Sequence, residues 1–164
     1  MSEYTIESID LSHRNEIIDI FNYYVENSFA AYFENKVPYE FFDILMQSNT
    51  GYPSVVIKNE QNEIVAFGML RPHSAIPSFS VTAETTYFVK DGYKGKGIGS
   101  MLLAELVSKA KDINIHSLLA NISSINEESL MFHKKKGFSE CGRFAEVGIK
   151  HGTTFDTVWM QKFI

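Results

Sequence analysis

One cysteine, one tryptophan and four prolines occur in the 164 residues. A lone thiol, Cys141, admits no internal disulfide. The five histidines (His13, His73, His116, His133 and His151) show no metal-ligand spacing, so no metal is expected. No apolar run approaches the roughly 18 residues that a membrane span needs, and the amino terminus lacks the basic-then-apolar order of a signal peptide. A cytoplasmic protein without a membrane partner is therefore expected. Positive charge is also short: 15 Lys and Arg stand against 20 Asp and Glu, a formal balance of −5. Nucleic-acid binders usually carry a basic face, so a nucleic-acid partner is not expected. No repeat, low-complexity segment or linker interrupts the chain, and residues 1–164 read as a single domain.

Aromatics, by contrast, are abundant, with 13 Phe and 8 Tyr, which suggests an aromatic-rich core or pocket. Glycine is concentrated: Gly92, Gly95, Gly97 and Gly99 fall within eight residues, with Lys90, Lys94 and Lys96 around them. A second basic cluster is Lys134 to Lys136. Local basic spots on an acidic chain suggest a small anionic ligand.

Periodicity and turn residues predict strands at 4–9, 53–58, 63–71, 82–89, 116–123, 138–149 and 154–163. Helices are predicted from a Ser12 cap to about 26, from Pro38 to about 46, from Gly97 to about 112, and over 127–136 with Gly137 closing the last. Residues 29–36 read as an aromatic loop and 72–80, with two prolines and three serines, as another loop. The order β-α-α-β-β-β-α-β-α-β-β describes a mixed α/β fold built on one sheet.

A strand, a glycine-rich turn and a helix amino terminus together make an anion site. Unpaired backbone N–H groups point outward there, and the helix dipole adds about half a positive charge. Phosphate or pyrophosphate is the natural guest. The Walker string, a Gly followed after four residues by Gly-Lys-Ser/Thr, is absent. A dinucleotide fingerprint is approached by Gly95, Gly97 and Ser100. The acid it requires about twenty residues on is missing, since that strand ends in Asn121 and Ile122. A purely structural tight turn is the bland reading.

The third reading rests on Lys94-Gly95-Lys96-Gly97-Ile98-Gly99, which resembles the pyrophosphate loop of the GNAT N-acetyltransferases, with Lys94 where Arg or Gln is usual. "FHKKKGF" (132–138) resembles the family's late-helix string with His133 in the tyrosine position. "TAETTYFV", "INEESLMFHKKKGF", "GIKHGTTFD" and the aromatic "NYYVENSFAAYFENKVPYEFF" look like segments of its phosphinothricin acetyltransferase branch. The resemblance implies a mostly antiparallel mixed sheet flanked by helices, and acetyl-CoA as co-substrate. The coenzyme is then held by Tyr87, Phe88, Val89, Lys94, Gly95, Lys96, Gly97, Ile98, Gly99, Ser100, Asn126 and Ser129.

It also implies a catalytic pair: Glu84 as general base, acting through water, and His133 as the acid that protonates the departing thiolate. Read from the residues alone, Glu84 lies among neutral neighbours (Ala83, Thr85, Tyr87), where a carboxylate is unexpected unless it sits on a solvated sheet face. His133 alone could be a partly buried helix histidine. Asn126 could simply cap its helix, Lys134 to Lys136 a solvated face, and Cys141 a plain strand residue. Phe33 is the expected wall of a small-molecule amine pocket and Arg71 its basic residue. The branch tends to hold a basic residue in the loop before the fourth strand, and 74–81 ("SAIPSFSV") has none. A homodimer through the apolar carboxy-terminal "TVWMQKFI", with Trp159 and Phe163, is a further expectation. The alternatives are acetylation of a protein amino terminus or lysine, a non-catalytic coenzyme A sensor, and a poorer flavin or nicotinamide module.

Overall fold

Residues 3–164 are described by the computed structural model. The chain runs β1 (Thr5–Ser8), α1 (Arg14–Asn27), α2 (Phe41–Ser48), β2 (Ser54–Lys58), β3 (Ile64–Pro72), β4 (Thr82–Val89), α3 (Ile98–Asp112), β5 (Ser117–Ser123), α4 (Glu127–Lys135), β6 (Ser139–Lys150) and β7 (Thr153–Phe163). Seven strands form one sheet in the order β1-β2-β3-β4-β5-β7-β6. Only β4 and β5 are parallel, and α3 is the crossover between them.

Every residue from Ile64 to Leu70 of β3 is buried, the pattern of a strand covered on both faces. On one face Ile64, Phe67 and Met69 pack with Ile17, Ile18, Phe21 and Val25 of α1 and with Phe42 of α2. On the other, Val65 and Leu70 pack with Leu102, Leu103, Leu106 and Ala110 of α3. Gly68 lets α3 and β4 close over the sheet: a Cβ there would meet Tyr87 at 3.0 Å and Leu106 at 3.1 Å.

The parallel pairing is short. It joins Thr82–Glu84 to Ser117–Leu119 and then stops, although both strands continue. β4 stays registered with β3 through Val89, while β5 stays registered with β7 through Ser123. The sheet therefore opens a wedge after Glu84.

Two sequence expectations need correction. Ser12 does not cap α1. Asp10 caps the 3-10 turn at Leu11–His13 that leads into the helix, accepting from the Ser12 N–H at 2.8 Å, and α1 itself starts after His13 with no side-chain cap; the Asp10 N–H in turn meets His13 Nδ1 at 3.1 Å. The second helix begins at Phe41, because Pro38 to Glu40 form turns whose carbonyls accept from residues 41–43. β7 is bonded on both sides, by β5 and by β6, so the free edge belongs to β6.

The cap makes a measurable distinction. Asp10→Ala should lower the unfolding free energy by about 1 kcal/mol, and Ser12→Ala by clearly less, in urea melts. A larger loss at Ser12 would return the cap to that residue.

Candidate active site

The wedge is the middle of a continuous cavity of about 840 Å³ that runs from the amino terminus of α3, between β4 and β5, to the segment after α1. Lys94, Gly95, Gly97, Gly99 and Ser100 line its first part. Gly95 and Gly97 have φ of +74° and +81°, a left-handed backbone that only glycine adopts cheaply. A Cβ on either would project into open space, so their bare Cα atoms border the cavity itself. Among the described residues, the N–H groups from Gly95 to Ser100 donate to no protein acceptor. With the α3 dipole behind them they form a ready anion cradle.

Two residues of the expected set, Ile98 and Lys96, fall outside the cavity lining. Ile98 is 1% exposed and belongs to the core under α3. The Lys96 ammonium lies 4.7 Å from the Tyr93 ring centre and does not border the cavity. Lys94 does border it, 3.3 Å from Glu128 and 5.2 Å above the Tyr24 ring. Gly99 has ordinary φ; a Cβ there would touch Phe132 at 3.4 Å, which brings α3 close to α4.

The middle of the cavity is neutral. Asn126 caps α4, accepting from the Ser129 N–H at 3.2 Å, as the bland reading held. One turn on, His133 Nδ1 lies 2.7 Å from the Ser129 carbonyl oxygen, which can only accept. Nδ1 therefore carries the hydrogen, and Nε2 is left to accept from the Tyr87 hydroxyl. The two rings stack at 5.5 Å and 18°, with Phe138 edge-on to the imidazole at 4.9 Å. Burial pushes the His133 pKa below its ordinary 6.5 and the Tyr87 pKa upward. In this arrangement the imidazole presents no free N–H to the cavity, since Nδ1–H is held by a carbonyl and Nε2 accepts from the Tyr87 hydroxyl.

Glu84 sits where the strands part, and its surroundings are not neutral. Arg71 is its cross-strand partner on β3, with Nη2 2.5 Å from Oε2, and His73 Nδ1 lies 2.9 Å from Oε1. Both bases lie thirteen and eleven residues upstream and reach Glu84 only through the β3–β4 register. Each carboxylate oxygen uses one lone pair on these bonds and keeps another free. The Glu84 side chain is 13% exposed and that of Arg71 48%, and both border the cavity.

Beyond them the wall is aromatic. Phe33 stands edge-on to Phe21 at 5.9 Å and to Phe41 at 5.3 Å, and Phe88 packs edge-on to Phe21. The Tyr32 hydroxyl donates to Asn121 Oδ1 at 2.6 Å, bridging the loop after α1 to β5. Burial pushes the Tyr32 pKa up to about 12, so it stays a donor. Tyr32, Asn121, Phe21 and Phe41 were not singled out from the sequence; the aromatic run 21–42 was the only signal for the three aromatics, and Asn121 on β5 carried none. Lys134 and Lys135 lie on the solvated face of α4, and Cys141 is exposed on β6.

The sequence profile of the acetyltransferase (GNAT) family matches residues 17–138. A phosphinothricin N-acetyltransferase of Streptomyces coelicolor is 35% identical over 63% of this chain, a match that spans 60% of that relative's length. An L-methionine sulfoximine/L-methionine sulfone acetyltransferase of Pseudomonas paraeruginosa is 30% identical over 88% of this chain and 86% of its own. Among solved structures, a phosphinothricin acetyltransferase from Sinorhizobium meliloti in complex with AcCoA superposes with a TM-score of 0.91 at 25% identity, over 98% of this chain and 88% of that one. A ribosomal-protein-alanine N-acetyltransferase from Brucella melitensis gives 0.90 at 30%, over 98% and 99%.

A neutral buried imidazole carries a sign that can be tested. The unfolded chain binds a proton at His133 more readily than the folded one, so stability is full above about pH 6.5 and falls as pH drops from there toward the lowered folded-state pKa. His133→Gln should flatten this acid limb of a melting-temperature profile, compared with the wild type. Identical limbs would show that His133 charges equally well in both states.

Proposed function

This chain belongs to the acetyltransferase (GNAT) family and is an N-acetyltransferase, and we propose that it moves an acetyl group from acetyl-CoA to the primary amine of a small amino-acid-like acceptor carrying one carboxylate. The observation that carries this reading is the continuity of the cavity. It joins an anion cradle at Gly95–Ser100 to an aromatic pocket holding Glu84 and Arg71, with the strand wedge between them.

The residues present fit the coenzyme: the unpaired N–H groups and the open directions at Gly95 and Gly97 suit its pyrophosphate. Tyr87, Phe88, Val89, Asn126 and Ser129 would flank its pantetheine arm, and Lys94 its phosphates. When bound, acetyl-CoA supplies the acetyl group as an activated thioester. The work left to the chain is to orient an amine, take its proton and exclude water. Glu84 takes the proton, directly or through one water, on a lone pair that Arg71 and His73 leave free. His133 is read as orienting the Tyr87 hydroxyl rather than as the proton donor, because its own hydrogen is held by the Ser129 carbonyl.

Arg71 has one N–H engaged by Glu84 and others to spare, which suits an acceptor carboxylate. Phe33, Phe21 and Phe41 suit an apolar side chain. His73 is taken by Glu84 and residues 74–81 add no cation, so a second acidic group, as in phosphinothricin, lacks a partner. A methionine-sulfone-type amino acid fits better. The Brucella melitensis neighbour favours an alternative, acetylation of a protein amino terminus. The Tyr32–Asn121 bridge across the acceptor end argues for a free small molecule instead. Pairing of two copies through β6, which exposes Phe144, Val147 and Ile149 beside its free edge, belongs to the same reading.

A panel of free amino acids and short peptides, read by thiol release, tests the acceptor class; turnover of peptides alone would overturn it. Glu84→Gln should lower kcat by roughly 10²–10⁴-fold with little change in acetyl-CoA affinity. Gly97→Val should abolish acetyl-CoA binding in calorimetry, since it both strains a left-handed backbone and fills the cradle, while Lys94→Ala weakens it only modestly. Similar small effects from both loop variants would remove the pyrophosphate assignment.

A further inference from the structure

The acceptor wall is built on a segment without regular structure. Between α1 and α2 the chain has no strand or helix, yet Ala31, Tyr32 and Phe33 border the cavity. What fixes it lies more than a hundred residues away, in the β6–β7 hairpin.

Lys150, the last residue of β6, is 1% exposed. Its ammonium donates three hydrogen bonds, each 2.7 Å long, to the carbonyls of Val25, Ser28 and Ala31. Three donors meet three acceptors, and no carboxylate pairs with the charge at salt-bridge distance. Burying an ammonium without a counter-ion is costly, and burial indeed lowers its pKa. The carbonyls at the end of α1, the negative end of its dipole, offset part of that cost. The same charge also closes the α1 terminus onto the loop.

The rest of the hairpin reinforces this. The His151 N–H donates to Glu34 Oε1 at 2.9 Å. Phe155 stacks on Tyr32 at 5.4 Å and 16°, and stands edge-on to Phe29 at 5.8 Å. Gly148 makes room for that ring, since a Cβ there would lie 2.3 Å from Phe155. Asp156 accepts from the Glu146 N–H at 2.8 Å and from Arg143 at 2.9 Å, holding the irregular middle of β6. Tyr32, gripped by Phe155, then reaches Asn121.

We propose that Lys150 is a specificity-determining positioning residue: by holding the carbonyls of Val25, Ser28 and Ala31 it sets where Tyr32 and Phe33 stand, and so which amine the pocket accepts. The inference rests on the reading of that end of the cavity as the acceptor site. The hairpin shapes the acceptor half alone, because the anion cradle is built on α3 and β4 and none of these contacts reaches it.

Lys150→Met keeps the length of the side chain and removes all three donors. The kcat/KM for the amine should fall on the order of 10- to 100-fold, as expected when a reactant is misplaced by about an ångström, with its KM raised. The KM for acetyl-CoA should stay within about twofold. Amide exchange should speed up at residues 29–34 and stay unchanged at 98–106. A residue that only stabilises the fold would lower the melting temperature and leave both KM values alone, and that result overturns the proposal. So does a parallel rise in both. Should Lys150→Met fail to fold, Glu34→Ala loosens the same segment from the surface. A smaller rise in amine KM then supports the proposal, and no change overturns it. If the wild type acetylates no small amine, the acceptor reading fails by itself. Exchange at 29–34 then decides whether Lys150 fixes the wall, and unchanged exchange there overturns the proposal.

Discussion

The parting of β4 and β5 is the constraint from which the rest of the site follows. The two strands share three paired positions and then separate, yet neither is left adrift. β4 keeps its register with β3 to Val89, and β5 keeps its own with β7 to Ser123. Each is held open by its other neighbour, so the wedge is a stable feature of the sheet. The same parting aims α3 and α4 at one gap. α3 begins beyond the end of β4, and only three residues separate α4 from β5, which brings the Gly95–Ser100 cradle and the Asn126–His133 face to opposite sides of one cavity.

Local signals were enough to reveal the elements. Thr82–Val89 is β-branched and aromatic along its length, and its bounds came out of the sequence unchanged. Four clustered glycines announced a turn that needs left-handed backbone, and three of them have it. What the sequence hid is pairing. Nothing near Glu84 hints at Arg71 and His73, because a loop of some ten residues separates the strands that align them. Nothing near Phe163 shows that β7 lies inside the sheet. The cap expected at Ser12 lies two residues earlier and belongs to the 3-10 turn ahead of α1, because Asp10 and Ser12 are both good capping residues and only the backbone at residue 10 decides between them.

His133 shows a different limit. Its place on the face with Asn126 and Ser129 was legible from helical spacing. Its proton was not, since the tautomer depends on which atoms the ring meets: the Ser129 carbonyl on one side and the Tyr87 hydroxyl on the other. A residue type indicates what chemistry is available, and the partners decide which half of it is used.

Three ionisable groups at this end of the molecule are buried in three ways, and the contrast bears on how an amine could be activated. His133 gives up its charge. Lys150 sits among carbonyl dipoles, with no carboxylate among the described residues at salt-bridge distance and Glu34 acting on it from farther off. Glu84 is flanked by Arg71 and His73. An amine attacks only when neutral, and a bare buried carboxylate would hold it as ammonium. In the proposed reading Arg71 offsets that field and lets Glu84 take the acceptor's proton, while the same guanidinium, half exposed to the cavity, recognises the acceptor's own carboxylate. One cation then serves both the base and the substrate, which is why that reading confines the acceptor to a single negative charge near the amine.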